Sequence, residues 1–136
     1  MDSALLDAFR TTDYLVCLDE AEWASIHIDE PLPPPLQARV GARPWGFITA
    51  WNPGAKTMRT PVDNLTAQRE LLSALRAWPE AVIRPAIGIG RGGWNEPSLF
   101  VIGPDSATLD TLARQHQQLA YLHGHADGVV HLRVLE

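Results

Sequence analysis

The sequence predicts an α+β fold built on a mostly antiparallel sheet. Apolar runs of strand length recur along the chain, two longer segments repeat apolar residues at helical spacing, and Pro, Gly and Asn cluster between them. At 136 residues the chain suits one compact domain, read as 1–136 with an N-terminal part over 1–44 and a main core over 45–136. Hydrophobic residues at 46% and charged residues at 20% are a globular balance, and no apolar run approaches the roughly 20 residues of a membrane span. A soluble protein without membrane contact is expected.

MDSALLDAFR reads as a short helix; with Asp2 and Asp7 and no basic start, it lacks the marks of a secretion signal. DYLVCL (13–18) and WASIHI (23–28) form a hairpin across the polar DEAE, with Ala24, Ile26 and Ile28 on one face and Trp23, Ser25 and His27 on the other. EPLPPPLQARVGARP follows as a stiff connector with a helical turn ending near Gly41, and its PLPPPL also fits the PxxP pattern of an SH3-type ligand. WGFITAW is a strand. TPVDNLTAQRELLSALRAW is a helix capped by Thr60, with Pro61 at its first position, Asp63 at its positive end and an apolar stripe of Leu65, Leu71, Leu72, Leu75 and Trp78. AVIRPAIGI is a strand that Pro85, lacking a donor, assigns to an edge. SLFVIG, nearly all apolar, is a central strand. DSATLDTLARQHQQ is a second helix, capped by Asp105 or Ser106, with His116 on its core side. LAYLHGH and VVHLRVL close the chain as a hairpin around 126–128.

The order strand, helix, strand, strand, helix, strand over residues 45 to 125 is the ferredoxin-like βαββαβ pattern, here extended by an N-terminal hairpin and a C-terminal strand. In that arrangement the end of WGFITAW, the start of SLFVIG and the loop GRGGWNEP meet at one end of the sheet, and the N-terminus of the 62–77 helix opens toward them. Residues 51–64 and 88–98 then wall a cleft. Lys56, Arg59 and Arg91, with helix N-terminal amides, suit an anion; Asn52, Asn64 and Asn95 offer donors and acceptors; Trp51 and Trp94 suit a planar ring. Glu96 is the candidate for proton transfer. The expectation is a domain that binds a small polar or anionic molecule, such as a nucleotide or phosphorylated metabolite. One competing reading is a hydrolase or transferase with Glu96 as general acid or base; the other is an interaction module, homodimeric or bound to another protein. The plainer structural reading has the asparagines tying turns, the tryptophans plugging the sheet end and Glu96 pairing with an arginine.

Charge is uneven: residues 1–38 hold Arg10 against eight acids, net -7, and the remainder ten basic against eight acidic residues, net +2. That balance argues against a nucleic-acid partner, whose binding rests on phosphate neutralisation. Cys17 alone forms neither an intramolecular disulfide nor a cysteine zinc site, and a reducing compartment, the cytoplasm, is the expected location. Cys17 is expected buried in mid-strand. No cofactor is read from the chain: GIGRGG (88–93) matches GxGxxG, but a strand rather than a helix follows it. His123 and His125 share a strand face. A three-residue turn pairs His123 with His131 and gives three candidate metal ligands; a two-residue turn sends His131 to the other face.

FITAWNPGAKTMRTPVDN, GGWNEPSLFVIG and HQQLAYL together resemble a bacterial family, DUF3293, from about Tyr14 to the last strand. The most specific segments are Thr49–Pro53, Asn64 and Trp94–Ser98, and the resemblance implies no activity, cofactor or partner. Where relatives tend to have Gln-Asn-Ala, this chain has Gln118-Leu119-Ala120.

Overall fold

A computed structural model describes residues 1–52, 59–125 and 128–135. Within them lie four α-helices and seven strands: α1 (Ser3–Thr11), β1 (Asp13–Cys17), β2 (Trp23–Ile26), α2 (Pro34–Val40), β3 (Trp45–Ile48), α3 (Pro61–Arg76), β4 (Val82–Ile89), β5 (Asn95–Ile102), α4 (Ser106–Gln115), β6 (Ala120–Gly124) and β7 (His131–Val134). None of the helices is long and apolar enough to cross a membrane.

The strands form one sheet in the order β2-β1-β4-β5-β3-β6-β7, antiparallel at every pairing. It curls into a half-barrel. The chain just after β2 reaches the chain just before β7, where Asp29 N–H donates to Val130 O at 2.8 Å, Val130 N–H donates to Glu30 O at 2.8 Å, and Pro31 bridges Val129. Strand alternation therefore divides side chains between an inner and an outer face. The inner core holds Val16, Ile26, Trp45, Phe47, Phe100 and Leu122 and is plugged by Leu36 and Val40 of α2. On the outer face Ile48, Leu99 and Val101 pack against Leu71 and Leu75 of α3 and Leu109, Leu112 and Ala113 of α4. Gly46 lies directly beneath α4: a Cβ there would be 2.5 Å from Leu109 Cδ1.

Four expectations need correction. β4 is not an edge strand, because β1 pairs along its free side. Pro85 is tolerated since the β1 ladder stops one residue earlier, at Val16 opposite Ala86. Beyond that point the Arg84 guanidinium takes over the missing donor, its Nε reaching Cys17 O at 3.1 Å and its other nitrogen Leu18 O. β5 starts at Asn95 rather than near Ser98, so much of the expected loop belongs to a hairpin closed by Gly90 N–H on Trp94 O at 2.8 Å, with Gly92 and Gly93 at φ 73° and 80°. The buried side of α3 is Asn64, Ala67, Leu71 and Leu75, while Leu65 and Trp78 are exposed. Leu71 and Leu75 of the expected stripe are thus buried and Leu72 packs beside them, while at the start of the helix Asn64 takes the inward position in place of Leu65. Cys17, at the end of β1, is half-buried, its thiol donating to Asp19 O.

Candidate functional site

Where α2 does not fill the half-barrel, the inner face lines a half-open cavity of about 470 Å³. Its floor is strand residues of alternating register, among them Tyr14, Phe47, Glu96, Ser98 and Leu122. Its roof is α1. That helix begins at Asp2, whose carboxylate accepts from Leu5 N–H at 2.8 Å, and turns Leu5, Ala8 and Phe9 over the opening. No α1 residue is fully buried; Tyr14 Oη–H to Phe9 O at 2.5 Å and Arg10 to Asp29 at 2.8 Å tie the helix to β1 and to the chain after β2, while Thr12 Oγ1–H on Ala8 O at 2.7 Å closes its own last turn.

Glu96 faces inward because it shares the β5 face of Phe100 and Ile102, and it stands opposite Gly88, which leaves space above it. Burial pushes its carboxyl up from 4.5 to about 7. No ion pair involves it among the described residues. Burial likewise raises the Tyr14 hydroxyl, with the Thr12 hydrogen bond opposing and the nearby Glu96 charge adding to it. A carboxyl that exchanges its proton near neutrality can act as donor, acceptor or counter-ion.

Of the residues expected at the site, Asn52, Arg91, Trp94 and Glu96 line this cavity. Trp51 is half-buried, Asn64 is buried behind Asn52, and Asn95 is exposed at the start of β5. Arg59 lines a separate shallow groove with Asp63, Thr66 and Glu70. Lys56 lies outside the described residues. The α3 N-terminus does not wall the cavity; Thr60 caps it, accepting from Asp63 N–H.

Asn52 and Asn64 are occupied with one another. Asn64 Oδ1 accepts from Asn52 N–H at 2.9 Å, Asn64 Nδ2 donates to Asn52 Oδ1 at 2.8 Å, and that same oxygen accepts from Arg59 N–H at 3.3 Å. The exchange holds Asn52 at φ 42°, a conformation Asn tolerates better than most residues. This much of the plainer reading describes the molecule: the asparagines tie a turn. The expected arginine partner of Glu96 is absent among the described residues.

Three contributors escaped the sequence reading. Gln68 Oε1 accepts from Ala50 N–H at 2.8 Å while its Nε2 donates to Pro97 O at 3.3 Å, pinning α3 to the ends of two strands. A polar residue one turn from Asn64, beside a buried helical stripe, was the available signal. Gln118 lines the cavity and donates to Trp51 O at 3.1 Å. The α1 roof is the third, signalled only by its amphipathic pattern.

The remaining clusters are less complete. His123 does pair with His131, their rings 5.7 Å apart, as the longer turn requires. His125 falls beyond the end of β6, and the described residues contain no group of three His, Cys, Asp or Glu able to hold a metal. His116 caps α4 half-buried, and burial lowers its affinity for a proton. Asp13, Ser25 and His27 form a surface string, but the hydroxyl of Ser25 donates to Asp13 and contacts His27 at 3.2 Å. A nucleophilic triad instead needs the histidine between serine and acid.

The family model for a protein of unknown function, DUF3293, matches residues 48–121, a narrower span than the resemblance from Tyr14 suggested. No curated protein and no solved structure matches the chain significantly. The matched span holds the Asn52–Asn64 tie, Gln68, Gln118 and Glu96, and leaves α1 and β1 outside. On that match, which covers more than half of its length, the chain belongs to the DUF3293 family.

Proposed function

We propose that this protein binds a small molecule in the cavity beneath α1. The observation that carries the reading is a half-open cavity of about 470 Å³ in a curled sheet, mainly apolar, with a carboxyl on its floor that forms no ion pair among the described residues. Ligand sites fall in the range of about 300–1,000 Å³ and combine apolar walls with a few directing polar groups. Among the described lining residues Arg91 is the one cation, against Asp7 and Glu96. That balance favours a ligand with at most one anionic group over a polyphosphate nucleotide, and Trp94 at the rim can cover a planar ring.

A second reading, catalysis of a proton transfer, is favoured by one fact: the Glu96 carboxyl near 7 is balanced between acid and base at neutral pH. The strand order β4-β5-β3-β6, with α3 and α4 on one face, supports a ferredoxin-like reading of the core.

A thermal-shift screen of nucleosides, sugar monophosphates, amino acids and amines tests the binding reading. A ligand of the native state raises Tm by mass action. The expected hit also perturbs NMR signals of Phe47 and Leu122 and weakens in Glu96→Ala. Hits that leave those signals unchanged, or a screen without hits, overturn it. Loss of turnover with retained binding in Glu96→Gln supports catalysis.

A further inference from the structure

We infer that the cavity selects small organic amines in their cationic form, with Glu96 as the counter-ion. The inference rests on the cavity-binding reading above and names its ligand class. Four observations converge on it. Glu96 lines the half-open cavity, and no Lys, Arg or His of the described residues pairs with it. The walls around it are aromatic, with Tyr14 and Phe47 in edge contact at 5.2 Å, and aromatic faces attract cations. The roof is α1, whose residues line the cavity from Ala4 onward, and it brings the Asp7 carboxylate to the cavity. The acidic first part of the chain, net -7 over residues 1–38, contributes α1 and β1 to the site.

The charged and titratable groups lining the cavity are Asp7 on α1, Tyr14 on β1, Arg91 in the β4–β5 turn, Glu96 on β5 and Tyr121 on β6. Arg91 is exposed at the turn and forms no ion pair with Glu96. An ammonium group entering the cavity supplies the missing charge and donates hydrogen bonds to the carboxylate, while its hydrocarbon body covers Phe47 and Leu122. A neutral alcohol of the same skeleton gains only the apolar part.

The pH dependence follows from the same contact. An alkylamine stays protonated from pH 5 to 8, whereas Glu96 gains its proton below about 7. Amine affinity then falls about 100-fold between pH 8 and pH 5, tenfold for each pH unit below the carboxyl value.

The test is calorimetric titration of the full chain with a panel of primary amines, from butylamine to 2-phenylethylamine, each matched with the alcohol of the same skeleton. Titrations run at pH 8 and pH 5 on wild type and Glu96→Gln. The expected result is at least one amine that binds more tightly than its alcohol at pH 8, weakens about 100-fold at pH 5, and loses its pH dependence in Glu96→Gln. If alcohol and amine bind alike, at both pH values, the cavity reading stands and amine selection falls. If neither member of any pair binds, both readings fall. The wild-type pH series decides the matter even where the variant does not fold.

Discussion

Asn64→Ala tests whether the TAWN segment is held by architecture. Asn64 is 2% exposed and Asn52 4%, and the two exchange hydrogen bonds of 2.9 and 2.8 Å. Removing the Asn64 side chain orphans the Asn52 N–H, a buried donor whose desolvation is worth about 2 kcal/mol, and deletes a second bond worth about 1 kcal/mol. Asn52 Oδ1 keeps Arg59 N–H at 3.3 Å, so the acceptor is not stranded. The expected loss is about 3 kcal/mol, read as a lower urea midpoint with an unchanged m-value. Asn52→Gly relieves the positive φ, keeps the backbone N–H on Asn64 Oδ1 and removes the Nδ2–Oδ1 bond, so only that bond is lost in both singles and the double variant is expected to fall short of their sum by about 1 kcal/mol. A cost below about 0.5 kcal/mol for Asn64→Ala, or strict additivity, refutes the argument and returns both asparagines to the list of ligand contacts.

Glu96→Gln probes the carboxyl through stability. With its folded value at about 7 against 4.5, the contribution of Glu96 to stability is full below 4.5 and lost as pH rises through 7. Wild type is therefore expected to lose about 3 kcal/mol relative to the variant between pH 4 and pH 8; parallel stability curves would show a solvated carboxylate. Asp110 has the opposite sign. The Arg133 hydrogen bond, helped by the Tyr121 hydroxyl, holds it below its ordinary value against the effect of burial. Asp110→Asn is expected to destabilise at neutral pH, with the difference from wild type vanishing as acid titrates the carboxyl. Gly46→Ala sets a methyl 2.5 Å from Leu109 Cδ1 and is expected to cost about 1–3 kcal/mol, partly restored by Leu109→Val; a neutral result in thermal melts places α4 farther from β3.

The sequence made local chemistry legible and long-range pairing obscure. Thr60, Pro61 and Asp105 marked helix starts correctly because caps act within a single turn. Gly41 closed α2 for the same reason, at φ 60°. Pro85 misled because its cost depends on what lies beside it, and only the fold brings Arg84 to the Cys17 and Leu18 carbonyls. The α3 stripe was right at Leu71, Leu72 and Leu75 and wrong at Leu65, where Asn64 takes the inward position, and at Trp78, which lies past the end of the helix. At the site, the convergence of Asn52, Trp94 and Glu96 was readable from strand order, whereas the roof required knowing that β1 docks on β4. No local pattern in residues 1–17 specifies that docking.

The pairing of Asp13 with Ile89 also sets an order of assembly. β1 is synthesised long before its partner, and closing so wide a loop costs entropy that the hairpins β4–β5 and β6–β7 avoid. The expected sequence is that these local pairs form first and the N-terminal hairpin joins a sheet already in place. In pulse-labelled hydrogen exchange, β1 amides should then gain protection after those of β5. The cavity, which lacks its α1 roof until β1 is seated, comes into existence only at that late step.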